Sequence, residues 1–161
     1  MKVGLVTNFP CDMDAIEYIN NLKFDAVVGL GDVECPQYIS NFMGILGEME
    51  SVYIMKYLKT NKRLIEGKYL NLSTDFSTGI HITHFPPEVN TSILNVKVKN
   101  DEIRSIILKN SPKIVIHGHS DRQCTYNLGK TTVISIGSFK AGYYAVYIPD
   151  KEEIILKWAS H

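Results

Sequence analysis

The chain has 161 residues, a length that suits one domain with a multilayered core. Hydrophobic residues make up 45% and charged residues 21%, the balance of a globular protein and not of a fibrous or disordered one. Basic and acidic side chains number 17 each, so the zero formal charge argues against a large nucleic-acid footprint but leaves room for one small phosphate-bearing substrate.

In chain order, "KVGLV" suits a short buried strand. "CDMDAIEYINNL" places Met13, Ile16, Ile19 and Leu22 at helical spacing, with Asp12 as an acidic group at the start. "FDAVVGL" is a second buried strand, so the first thirty residues read as a parallel strand–helix–strand unit with a right-handed crossover. "ISNFMGILG" reads as a short helix ending at Gly47, and "SVYIMKYLK" as a helix with Val52, Met55 and Leu58 inward. The basic run from Lys56 to Arg63 reads as a solvated helix face.

"GIHITHF" alternates like a strand and runs into Pro86-Pro87. "NDEIRSIILKN" is an amphipathic helix with Ile103, Ile106 and Ile107 on one side, stopped by Pro112. "KIVIHGHSD" is a third strong strand, and the tail holds strands separated by turn signals at Leu128-Gly129-Lys130 and Pro149-Asp150-Lys151. Strand–helix units followed by antiparallel strands predict an α/β domain with two packed sheets, occupying residues 1–161 as a single domain. Tyr143, Tyr144 and Tyr147 read either as a surface for a homo-oligomer or as core, and their strand spacing favours core.

The opening "MKVGLVTNFP" has no apolar core long enough for a signal peptide, and no run approaches a membrane span, so the expected location is cytoplasmic. Cys11, Cys35 and Cys124 are odd in number and form no CxxC pair, which argues against a secreted disulfide framework. Cys11 and Cys35 each follow the end of a neighbouring strand. Two separate loop thiols is the favoured reading, ahead of a soft metal contact or a disulfide.

Polar residues collect at the strand ends, where open α/β sheets build their sites. The first strand ends at Asn8, the second at Gly31-Asp32, and Gly47-Glu48 follows the next element. His84 closes "GIHITH", and His119 with Asp121 closes "VIHGHSD". Two imidazoles with carboxylates suit a divalent Mn, Fe, Ni or Zn ion better than Ca or Mg. The glycines before Asp32, Glu48 and His119 let the backbone bring a short side chain close to a shared ion. His81 and His117 alternate with these positions along their strands, so they face the other way and are read as structural.

These blocks resemble the calcineurin-like metallophosphoesterase superfamily, specifically its small prokaryotic phosphodiesterase-type members. "LGDVE" matches its Gly-Asp, and "LGEMES" sits at its Gly-Asn-(His or Cys)-(Asp or Glu) block. "ITHF" matches its strand-end His, "IHGHSD" its Gly-His-x-His, and "ISIGSF" its Asn-Pro-Gly-Ser. The resemblance implies a four-layer α-β-β-α sandwich of two mixed sheets flanked by helices. It also implies a centre of one or two divalent ions. Carried over by residue, Asp32, Glu48, His84 and His119 form one four-ligand set, with Asp32, His84 and His119 central to catalysis. The other set is eroded: Asn8 replaces a carboxylate, Pro10 offers no ligand, and Asp121 replaces a histidine. Asn8, Asp32 and Asp121 still offer oxygen ligands to a hard ion such as Mn or Mg.

The implied function is a metal-dependent phosphoesterase acting on small phosphodiesters or phosphomonoesters through a rebuilt, partly degenerate dimetal site. Met49 occupies the position where some members carry a general-acid histidine, and losing such an acid costs roughly 10²- to 10⁴-fold. Activity is therefore expected to be weak and to favour activated esters. The alternative is a catalytically inactive relative that serves as a binding or scaffold protein. Carboxylates at two of the altered positions favour retuning; loss of the family's Asp and His at positions 8 and 10 favours erosion.

Overall fold

The computed structural model describes residues 1–90, 97–99 and 101–159; Asn100, where the third helix was expected to begin, lies outside them. Strand β1 (Val3–Val6) leads through α1 (Met13–Asn21) to β2 (Ala26–Leu30), which lies parallel to β1 as the apolar runs require. Next come β3 (Phe42–Ile45), α2 (Val52–Thr60), the short β4 (Lys68–Tyr69) and β5 (Leu72–Ser73), and β6 (Ile80–Thr83). A two-stranded ribbon of β7 (Glu88–Asn90) and β8 (Lys97–Lys99) precedes α3 (Asp101–Asn110). The chain continues with β9 (Ile114–His117), β10 (Gln123–Leu128), β11 (Thr131–Ile136), β12 (Tyr143–Ile148) and β13 (Glu153–Trp158).

One mixed sheet has the order β13-β12-β1-β2-β3 and the other β10-β11-β9-β6-β5-β4. Side-chain alternation sorts their residues into three cores. Val3, Leu5, Val28 and Leu30 of the first sheet meet Ile80, Ile82, Ile114, Ile116 and Ile134 of the second in the central core. On the outer face of the first sheet, Val6 and Val27 pack with Ile16 and Ile19 of α1 and Ile54 and Leu58 of α2. On the outer face of the second, Val115 and Val133 pack with Ile107 of α3. The layers therefore run helix, sheet, sheet, helix, as expected.

The segment read as a helix over "ISNFMGILG" is instead β3, paired in parallel with β2. The Phe42 ring explains the preference: it covers the backbone of Gly29 and Gly44, and a Cβ on either glycine would fall inside that ring. A helix would lose this contact and the pairing to β2.

Helix faces are also narrower than their spacing suggested. In α1 only Ile16 and Ile19 are buried, while Met13 and Leu22 project beyond the sheet; Asp12 caps the start by accepting from the Ala15 amide. In α2 the buried pair is Ile54 and Leu58, four residues apart, and Val52 and Met55 are exposed. In α3 Ile107 is buried, Ile103 partly so, and Ile106 is exposed. Tyr144 and Tyr147 are buried and Tyr143 half-buried, the core reading of the tail. Among the described residues no helix is long and apolar enough to cross a membrane.

Candidate metal centre

The carboxyl ends of β1, β2 and β3 in one sheet and of β6 and β9 in the other open onto one rim. Asn8, Asp32, Glu48, His84 and His119 all stand just beyond those ends. Asn8, Asp32 and His119 have φ of 51°, 56° and 66°, the left-handed region that costs a non-glycine residue about 1–2 kcal/mol. Three strand ends bearing polar residues share this costly turn, which aims their side chains inward to the rim.

Asp32, Glu48, His84 and His119 each offer a ligand atom, and the four atoms lie within 4.8 Å of one another. Asp32 Oδ1 accepts from the Glu48 and Met49 amides at 2.7 Å each, which leaves Oδ2 pointing at His84 Nε2, 3.3 Å away. Glu48 Oε1 lies 3.7 Å from the same nitrogen and 2.6 Å from His119 Nδ1.

His84 is the most informative member. Its ring is buried, and Nδ1 lies 2.8 Å from the Leu30 carbonyl, which can only accept. Nδ1 therefore carries the proton in the neutral ring, and the lone pair resides on Nε2. That buried Nε2 has no hydrogen-bond partner although two carboxylate oxygens face it. A lone pair opposed by two negative groups is unfavourable unless a cation or a proton lies between them. Borderline divalent ions take imidazole nitrogen and carboxylate oxygen together, so the donor set fits such an ion.

The turns are built for close approach. A Cβ on Gly31 (φ +97°) would strike His84 Nδ1, and one on Gly47 would strike Asp32 Oδ1. Glu50 was not singled out in the sequence, yet it supports the centre: its carboxylate accepts from the Asp32 amide and, at 2.9 and 2.8 Å, from the Gly47 amide. The acidic last position of the Gly-Asn-(His or Cys)-(Asp or Glu) block was the signal that pointed to it.

Other residues fall outside the four. Asn8 joins through its Nδ2, which donates to the His119 carbonyl at 3.4 Å. Asp121 is exposed and is not among the four clustered side chains. Met49 has its side chain largely in solvent, at 78% exposure, and offers no proton. His81 and His117 are buried and turned away, as expected: His81 stacks on Phe76 at 3.7 Å, and His117 Nδ1 lies 2.8 Å from the Gly118 carbonyl. Burial pushes both imidazoles down to about 4, so they stay neutral near pH 7. The favoured reading of two separate loop thiols is corrected: Cys11 and Cys35 form a disulfide, with Cα atoms 5.1 Å apart. Aligning β1 and β2 in register brings their trailing loops together, which spacing alone did not reveal.

No protein-family model matches the sequence, and no curated protein matches it. Solved structures match along nearly its whole length. A Thermotoga maritima protein solved by NMR shares 20% identity over 99% of both chains, with a TM-score of 0.61. A Thermus thermophilus protein shares 12% over 98% of both chains, with a TM-score of 0.65. A structure described as a novel archaeal phosphodiesterase shares 16% over 98% of this chain and 99% of its own, with a TM-score of 0.56. The chain has the calcineurin-like metallophosphoesterase fold, two mixed sheets with three helices among the described residues.

Proposed function

We propose that this protein is a metal-dependent phosphoesterase for small phosphate esters, working from one divalent cation held by Asp32, Glu48, His84 and His119. The bare, buried Nε2 of His84, set among carboxylates with its tautomer fixed by the Leu30 carbonyl, carries this reading. The likeness to an archaeal phosphodiesterase supports the reaction class. A cation bound there would supply Lewis acidity toward a phosphoryl oxygen.

The chain's own residues orient that chemistry. Glu50 and the Glu48 and Met49 amides fix the Asp32 carboxylate, and Leu30 fixes the His84 ring. Glu48 and His119 are only partly buried, so a phosphate ester reaches the group from solvent. With methionine at position 49, no side chain at that position protonates the leaving group, which restricts useful turnover to good leaving groups.

Metal analysis of purified protein, beside hydrolysis of bis-nitrophenyl phosphate with added Mn²⁺, tests this. Metal bound at the group and turnover lost in Asp32→Ala and His84→Ala are the expected results. Metal-free protein with no turnover after Mn²⁺ loading would reject the enzyme and leave an inactive relative.

A further inference from the structure

The disulfide lies at a telling place in the chain. Cys11 stands three residues after Asn8, and Cys35 three residues after Asp32. Between those points the ends of β1 and β2 continue as a short parallel ladder. Asn8 N donates to the Gly31 carbonyl at 3.3 Å, Phe9 N to Asp32 at 3.0 Å and Glu34 N to Phe9 at 3.0 Å. The Cys11 amide then donates to Glu34 Oε2 at 2.7 Å, and the disulfide closes the ladder. The two loops that carry Asn8 and Asp32 are thereby tied into one unit, and both residues hold left-handed backbones that need such support.

The two sulfurs differ in access. Cys11 is exposed, whereas Cys35 is 8% exposed and packed among Val33, Ile39 and Ile54. A thiolate arriving from solvent therefore meets the Cys11 side of the bond.

We propose that Cys11 is a thiol–disulfide exchange site for a small thiol or dithiol, and that breaking its bond to Cys35 weakens cation binding at Asp32, Glu48, His84 and His119. This rests on reading those four residues as a metal centre. In the exchange, the reagent thiolate bonds to Cys11 Sγ, the disulfide breaks, and the electron pair leaves on Cys35 Sγ, which takes a proton. A second reagent thiol then attacks the reagent sulfur of the mixed disulfide and releases Cys11 as a thiol. The protein gains two electrons and two protons, and two reagent thiols leave as one disulfide.

Weakening, not abolition, is the expected consequence. The Glu48 and Met49 amides still grip Asp32 Oδ1 from the β3 side and the Phe9 amide still bonds Asp32 from the β1 side, so only the covalent part of that restraint is lost. Removing a group that orients a metal ligand costs roughly ten- to a hundredfold in affinity, and a partial loss belongs near tenfold.

Calorimetric titration with Mn²⁺ tests the coupling, because Mn²⁺ prefers oxygen and imidazole and does not seek the newly freed thiols. The full chain is titrated oxidised, after dithiothreitol treatment and anaerobic removal of the reagent, after reoxidation, and as Cys11→Ser/Cys35→Ser. The dissociation constant should rise about tenfold in the reduced and double-variant proteins and return on reoxidation. Equal affinity in oxidised and reduced protein overturns the coupling but leaves the metal centre standing. No Mn²⁺ binding by the oxidised protein overturns the metal centre, and the coupling with it. Acid-quenched peptide mapping after brief exposure to glutathione should place the adduct on Cys11. An adduct on Cys35, or thiols at all 3 cysteines of air-oxidised protein, overturns the exchange site.

Discussion

The Glu50 carboxylate grips the main chain of Asp32, accepting its amide together with that of Gly47. The turn that presents Asp32 is thus held by a side chain that is not one of the four clustered residues. Glu50→Ala leaves those amides without their acceptor, which should cost about 1–3 kcal/mol of stability. It should also weaken Mn²⁺ binding by roughly tenfold or more, since Asp32 loses its orientation. Glu50→Gln keeps one acceptor oxygen and should fall between. Denaturant unfolding of metal-free protein and calorimetric titration separate the two effects; lost stability with unchanged affinity would show that Asp32 needs no such hold.

A cation between His84 Nε2 and the carboxylates should stabilise the folded chain, because the unfolded chain has no assembled group to bind it. Mn²⁺ at about a hundred times its dissociation constant adds about 2.7 kcal/mol. For a chain of this size that corresponds to a melting temperature higher by roughly 5–10 °C. In His84→Ala and Asp32→Ala the increment should vanish, whatever each substitution does to the metal-free protein. Differential scanning calorimetry with and without Mn²⁺ reads this directly. An unchanged increment in His84→Ala would remove His84 from the ligand set.

The positions of the four clustered side chains were legible because each stands at the end of an apolar run, and runs such as Val3–Val6 and Ile114–His117 advertise buried strands. That the first two runs pair in parallel was legible from the strand–helix–strand pattern; the order of the remaining strands was not. Strand β3 was not, because Ile39, Phe42, Met43 and Leu46 satisfy helical spacing equally well. Pairing with β2 and the cover that Phe42 gives Gly29 decided it, and both are properties of the assembled sheet. Glu50 was passed over although the last acidic position of its block marks it, because its carboxylate serves the Asp32 and Gly47 amides and is not one of the four clustered side chains. The disulfide depended on the β1–β2 register, which no single segment encodes.

The buried histidines set the acid limit of the fold. His81 and His117 are pushed down to about 4 by burial, with Asp75 partly offsetting the effect on His81. Their folded values lie below the ordinary 6.5, so the unfolded chain binds their protons first as pH falls. Stability should be fully present above about pH 6.5 and should decline toward pH 4, by about 1.4 kcal/mol per pH unit for each histidine. Depressed carboxylates such as Glu34 act in a lower window, below their ordinary 4.5. Urea midpoints of chelator-treated protein across pH 4 to 7.5 measure the slope. His81→Gln should remove one proton's share of it; a flat profile through pH 6 to 4.5 would mean that these rings are charged in the folded protein.

Gly31 offers the sharpest test of how the second strand's turn governs His84. Its φ of +97° penalises any side chain, and a Cβ there would collide with His84 Nδ1 and approach the Gly47 main chain to 2.8 Å. Gly67 has a similar φ of +80°, but its nearest neighbour to a new Cβ is Asp75 Oδ2 at an ordinary 3.6 Å. Gly31→Ala and Gly67→Ala should therefore share a backbone penalty of about 1–2 kcal/mol. Only Gly31→Ala also displaces the ring from the Leu30 carbonyl, which frees the tautomer and lets Nε2 carry the proton in place of Nδ1. Mn²⁺ affinity should drop by at least about tenfold in Gly31→Ala and stay unchanged in Gly67→Ala. ¹⁵N NMR of the imidazoles should show the fixed Nδ1–H form of His84 in the parent and Gly67→Ala proteins alone. Equal Mn²⁺ affinity in the two variants would show that the Leu30 contact does not prepare His84 for a cation.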